Sequence, residues 1–128
     1  MTEEEIIELV KLELIEDLIP EKFRDSKIKH PMFGHCHHSS LALYNLLGGK
    51  EQGYKLEKAI DELDIIHYWL STKDGRIIDV TSSQYTDLNR PLPYKSKINK
   101  GVSYLKSNAT KKIILNVQEK INAYKSRN

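Results

Sequence analysis

The chain has 128 residues, 39% hydrophobic and 30% charged, with one cysteine and a formal net charge of +2. This length suits a single domain spanning residues 1–128, whose core buries roughly two thirds of the unfolded chain's surface, so folding needs neither a disulfide nor a structural metal. The single cysteine excludes an internal disulfide framework and a multi-cysteine zinc finger and favours a reducing compartment. Apolar runs of only a few residues exclude a membrane span. The start, MTEEEIIELV, is acidic where a signal peptide is basic and then apolar, so the expected location is the cytoplasm.

In chain order, Thr2 and Glu5 form a capping-box pattern that opens a helix. Ile6, Ile7, Val10, Leu14, Ile15 and Leu18 continue it at helical spacing, and Pro20 is expected to stop it. Residues 21–33 are mixed, with Pro31 and Gly34 marking irregular backbone. A second helix is predicted from about Cys36 to Leu47, with Leu41, Ala42, Tyr44 and Leu47 as its apolar face and Gly48-Gly49 as its end. Tyr54 to Ile60 alternates weakly as a strand. Ile65 to Ser71 is β-branched and aromatic, Lys73-Asp74-Gly75-Arg76 is a turn signal, and Arg76 to Thr81 is the return strand of a hairpin. Pro91 and Pro93 mark a loop, and Gly101 to Leu105 reads as a further short strand. Asn108 caps a last helix with Ile113, Ile114, Val117, Ile121 and Tyr124 as its stripe. The order helix, helix, strands, helix defines an α+β class with an antiparallel sheet.

Charge is unevenly spread. Residues 1–20 hold seven acids and one base, Lys11, whereas residues 93–128 hold nine bases and one acid, Glu119. Solvated helix faces and a basic tail are the expected account, and a basic surface that holds a nucleic acid or an acidic partner is the alternative. A nucleic-acid partner is not expected, because the basic part carries no nucleic-acid motif.

The cysteine lies in Gly34-His35-Cys36-His37-His38-Ser39-Ser40, at the start of a predicted helix. Free N–H groups and the positive end of the helix dipole favour a thiolate there, and the same N–H groups suit a tetrahedral oxyanion. An inert, packed cysteine is the alternative. His67 lies inside the clearest strand, where a histidine is commonly a packing residue. Asp79 lies among Ile77, Ile78 and Val80, and a carboxylate in such a strand is costly without a partner. Register decides whether His67 is that partner. A two-residue turn, Asp74-Gly75, puts the two residues on opposite faces. A three-residue loop, Lys73-Asp74-Gly75, sets Thr72 opposite Arg76 and Trp69 opposite Asp79. His67 and Asp79 are then diagonal neighbours on one face, roughly 7–8 Å apart at the backbone. Gly75 at the third position permits this register, which is the one expected.

The three strings GHCHHSSLALYNLLGG, IIHYWL and DGRIIDVTSSQY, in this order, resemble the papain-like and transglutaminase-like cysteine hydrolases and transferases. They are also similar to short uncharacterised phage and bacterial proteins with the same run. The resemblance covers about residues 33–85. It implies a compact papain-like or transglutaminase-like core, with the catalytic helix packed on a small antiparallel sheet and flanking N- and C-terminal helices. It also implies a Cys36, His67, Asp79 triad: Cys36 as nucleophile, His67 as general base and then acid, Asp79 orienting the imidazole. The backbone N–H of Cys36 would serve the oxyanion.

The stretch before Cys36 lacks the glutamine that papain-type enzymes usually carry there. His30, His35 and Gln84 are the alternatives for a second donor. Trp69 is either a core aromatic or a wall of the site, and Gln84 and Tyr85 either pack or position substrate. His35, Cys36, His37 and His38 are not expected to bind zinc, because sequential residues seldom converge on one ion. His37 and His38 are expected to face solvent or substrate. The expected substrate is a peptide, a protein or a small amide, with hydrolysis as the reaction and deamidation or amine transfer as variants. No metal, cofactor or membrane is implied, and the oligomeric state is open. The alternative is a non-catalytic binding module of the same fold, holding a small molecule or a protein partner.

Overall fold

A computed structural model describes residues 1–127. Among the described residues, five α-helices and one four-stranded antiparallel sheet make an α+β architecture. Helix α1 (Glu3–Leu12) opens on the expected capping box: Glu5 N–H donates to Thr2 Oγ1 at 3.1 Å and Thr2 N–H to Glu5 Oε1 at 3.0 Å. It ends at Leu12, earlier than Pro20 would impose. Ile15 is extended, and a 3-10 turn over Glu16–Leu18 follows. The break lets Leu14 and Leu18 pack on the core from a separate segment. Arg24, at the end of the short helix α2 (Glu21–Arg24), holds this segment by donating to Ile19 O and Asp17 O.

Helix α3 (Cys36–Leu46) is the centre of the structure. Its residues from His38 to Leu43 are all buried, because sheet and helices surround it. The helix ends at Gly48, whose φ of 99° is left-handed backbone that glycine adopts without steric cost. The sheet order is β3-β2-β1-β4, with β1 (Lys55–Ile60), β2 (Ile66–Ser71), β3 (Ile77–Ile78) and β4 (Lys97–Ile98). Leu56, Leu70 and Ile78 form one row across the sheet and join Leu41, Leu43, Val10, Ile113 and Val117 in the core. Helix α4 (Ser83–Thr86) is short, and α5 (Asn108–Arg127) buries Thr110, Ile113, Val117 and Ile121, one helical stripe, against α3 and α1.

Leu70 faces Ile78 and Ser71 faces Ile77, and Thr72 N–H donates to Arg76 O at 3.0 Å. This is the three-residue-loop register, with Gly75 at φ 84°. The return strand is shorter than expected. At Asp79 the chain leaves the sheet, because Asp79 Oδ1 accepts Thr81 N–H and Asp79 O accepts Ser82 N–H, a turn that leads into α4. Gly101 to Leu105 is not a strand. The amide of Leu56 donates to the Tyr104 hydroxyl oxygen instead of to a neighbouring strand, and β4 comes from Lys97 and Ile98. Among the described residues no helix is long and apolar enough to cross a membrane.

Candidate functional site

The sheet has two faces with different duties. Leu56, Leu70 and Ile78 point to α3 and the core. By alternation, Ala59, Glu57, His67, Trp69 and Asp79 belong to the other face. His67 stands there beside Trp69, with ring centroids 6.0 Å apart and planes 23° from parallel. Tyr85 of α4 meets the imidazole edge-on at 4.8 Å. The ring is therefore clamped, and His67 is 1% exposed.

His67 Nε2 lies 2.6 Å from Asp79 Oδ2, with the carboxylate side chain only 3% exposed. Tyr94 donates its hydroxyl to the same oxygen at 2.7 Å, and Thr81 N–H donates to Oδ1 at 3.2 Å. Three donors thus hold the carboxylate in a fixed pose. Burial pushes the His67 pKa down, but the Asp79 hydrogen bond and the nearby Cys36 sulfur outweigh it, and the value is raised from 6.5 to about 9. Burial and the Asp79 charge push the Tyr94 hydroxyl pKa well above its ordinary range, so it remains a donor.

Cys36 begins α3 and is partly exposed. Gly34, two residues earlier, has φ 88°, and a Cβ there would meet Ile19 Cγ2 at 2.7 Å. Only glycine lets the chain turn this tightly into the helix. No side chain caps the helix start, so its first N–H groups have no intrahelical acceptor. The sulfur lies 3.8 Å from Ile66 O, and Ser40 Oγ donates to Tyr68 O at 3.3 Å. One helical turn, 36 to 40, rises about 6 Å, as do two strand residues, 66 to 68, at about 6.6 Å. The helix therefore runs in step with β2 and brings Cys36 to the residue beside His67. Both side chains line one cleft, and His67 Nδ1 is buried there without a hydrogen-bond partner among the described residues. The cleft is narrow, about 10 Å³, room for about one water. Its other walls are Phe23, Phe33, Gly34, Ile65, Ile66, Gln84 and Tyr85.

The remaining expected residues divide. Gln84 lines the cleft, with its amide donating to Thr81 Oγ1 at 3.1 Å. Trp69 is buried behind His67, against Tyr94, and does not line the cleft. His35 is turned inward: its Nδ1 is 2.7 Å from His38 Nε2, and both rings are buried. The expectation of a solvent- or substrate-facing His38 is corrected by this pairing. His37 is half-buried, held by Ser103 O at 3.0 Å and by Tyr68. Burial keeps His35 and His38 neutral, with pKa values lowered to about 4 and about 3; for His38 the neighbouring His35 and His37 add to the effect. His30 is bound to Asp87 at 2.9 Å.

The sequence reading missed Tyr94, Phe23 and Phe33 at this site, and it missed Asp61. The Asp61 carboxylate accepts the N–H of Leu63 and Ile65, the Tyr85 hydroxyl and Arg90 Nη2, all at 2.8 to 3.0 Å. It thereby fixes the β1–β2 turn and the Tyr85 ring together. An aspartate closing a strand before a tight turn is the only local signal that marked it.

Scaffold and site together define a small α+β protein with a cysteine at a helix start beside a buried histidine–aspartate pair. The chain belongs to the YunG protein family, whose model matches residues 15–123. The match spans the cysteine, the histidine and the aspartate and leaves out α1. No curated protein and no solved structure matches the chain.

Proposed function

We propose that this protein is a cysteine-dependent acyl-transfer enzyme with a papain-like or transglutaminase-like core, acting on an amide or peptide bond. The observation that carries the reading is the buried Nδ1 of His67, without a hydrogen-bond partner among the described residues, in the same cleft as Cys36, while Nε2 is committed to Asp79. A buried nitrogen in that state is costly unless a partner arrives, and Cys36 lines the same cleft.

In this mechanism the proton of the Cys36 thiol rests on His67 Nδ1, so the starting state is a thiolate–imidazolium pair, and Asp79 stabilises the charged ring. The sulfur attacks the carbonyl carbon and a C–S bond forms. The C–N bond breaks as His67 returns the proton to the leaving nitrogen. Water, activated by the neutral ring, then attacks the thioester, and the C–S bond breaks to release the acid and restore the thiol. The uncapped N–H groups at the start of α3 supply oxyanion donors, and Gln84 is the side chain in the cleft able to add one. Hydrolysis requires only water as acceptor; deamidation and amine transfer use the same groups.

The test is the rate at which iodoacetamide alkylates Cys36 at pH 7, followed by intact mass. The reading expects labelling faster than that of an unstructured cysteine peptide, and slower in His67→Gln and Asp79→Asn. Labelling at the peptide's rate, indifferent to both substitutions, leaves a non-catalytic binding module of this fold.

A further inference from the structure

We infer that the acyl donor carries a bulky apolar substituent next to its reacting carbonyl, and that this substituent occupies a hollow on the far side of Phe23 and Phe33. The inference rests on the acyl-transfer reading and adds the substrate class to it. The hollow measures about 380 Å³ and is lined by Leu14, Ile19, Phe23, Ile28, Pro31 and Phe33 among its apolar residues. That volume falls in the range of small-ligand sites, roughly 300–1,000 Å³. Phe23 and Phe33 pack edge to face, with centroids 5.6 Å apart and planes at 80°, and both also line the cleft of Cys36 and His67. Hollow and reacting atoms thus share a wall.

The narrow cleft has no room for a side chain, so a large substituent on the donor lies outside it, and the hollow that shares Phe23 and Phe33 is the apolar space adjoining it. The polar groups around the hollow leave the apolar surface to the ligand. The Arg24 guanidinium is taken by Ile19 O and Asp17 O, and His30 by Asp87 and the Met32 N–H. Glu16, Lys29 and Arg24 carry charges of both signs at the rim, and all three are exposed, so water screens them. A charged substituent would lose hydration and meet only exposed, screened charges, whereas a phenylalanyl or leucyl group would bury apolar area against Phe23, Ile28 and Phe33. The Gly34 turn sets the hollow's position: its backbone presses against Ile19, so the loop that delivers Cys36 also forms the hollow's edge.

The test compares N-acetyl-phenylalanyl, N-acetyl-glycyl and N-acetyl-glutamyl chloromethyl ketones, which alkylate the sulfur with loss of chloride. Rates of Cys36 modification are divided by each probe's rate with glutathione. The phenylalanyl probe is expected to react roughly tenfold or more faster than the glycyl probe, the discrimination a filled apolar pocket supplies, and the glutamyl probe no faster than the glycyl. In Ile28→Glu the phenylalanyl-to-glycyl ratio falls toward one. Rapid, His67-dependent labelling with a wild-type ratio near one, or with the glutamyl probe fastest, overturns the substituent class and leaves the acyl-transfer reading intact. Labelling by all three at the glutathione rate, unchanged in His67→Gln, overturns that reading and this inference with it.

Discussion

Tyr94 donates its hydroxyl to Asp79 Oδ2 at 2.7 Å, the same oxygen that holds His67 at 2.6 Å. Fifteen residues and a proline-containing loop separate the two in sequence, yet the tyrosine sets how much negative charge the histidine meets. Tyr94→Phe removes one donor from the carboxylate and leaves the packing against Trp69. The expected cost is about 1.5 kcal/mol, the low end for a hydrogen bond to a charged group, because Tyr94 is only half-buried. Urea unfolding measures it. With one donor gone the Asp79 hydrogen bond holds the charged ring more strongly, so the His67 titration followed by NMR moves upward; a downward shift contradicts this arrangement.

Asp79→Asn isolates the cause of the raised His67 pKa. Burial alone pushes the ring toward neutrality, and the carboxylate is the main opposing group. In the variant His67 is expected to fall from about 9 to the ordinary 6.5 or below. Imidazole proton and carbon shifts recorded from pH 5 to 10 read this directly. Retention of a value near 9 would mean that the sulfur, not the carboxylate, governs the ring.

The histidines give stability two opposing pH limbs. The folded pKa of His67 is raised, so its contribution is complete below about 6.5, the unfolded value, and is lost as pH rises through about 9. His35 and His38 have lowered folded values, so the unfolded chain binds their protons first. Their contribution is present above about 6.5 and is lost as pH falls toward 4 and 3. Unfolding midpoints measured from pH 4 to 10 are expected to peak near 6.5. His38→Gln flattens the acid limb and His67→Gln the alkaline one. Acid limbs of equal slope in wild type and His38→Gln would dismiss the buried imidazole pair as their source.

Arg90 neutralises Asp61, whose side chain is 1% exposed and whose oxygens organise the turn before β2. Arg90→Met leaves that charge buried without its cation. The expected destabilisation is about 3 kcal/mol, the low end for breaking such a pair, since Arg90 remains 12% exposed. Asp61→Asn in the same chain removes the uncompensated charge, so the double variant loses less than the sum of the two single ones. Additive losses in urea unfolding would indicate that the two residues do not act as a pair.

Some of this architecture was readable from local pattern. The Thr2–Glu5 cap, the start of α3 at Cys36 and the hairpin register followed from short-range rules. A capping pair spans one helical turn, and a glycine at the third loop position selects the bulged loop over the two-residue one. With that register, His67 and Asp79 had to share a face, and the 2.6 Å contact agrees. The stripe of α5 was readable for the same reason, as Ile113, Val117 and Ile121 recur at helical spacing. The end of α1 was not, because Leu14 and Leu18 keep helical spacing while the packing of a separate segment breaks the helix between them.

Residue types and order therefore determined which helix presents sulfur and which strands present imidazole and carboxylate, since these depend on steric rules reaching only a few positions along the chain. Tertiary structure alone decided that His38 turns inward to His35, that Tyr94 reaches Asp79, that Phe23 and Phe33 wall the cleft of the sulfur, and that His67 Nδ1 has no hydrogen-bond partner among the described residues. Those are meetings between side chains brought together by core packing, where burial and hydrogen bonding across distant segments set the pose, and no periodicity in the chain records them.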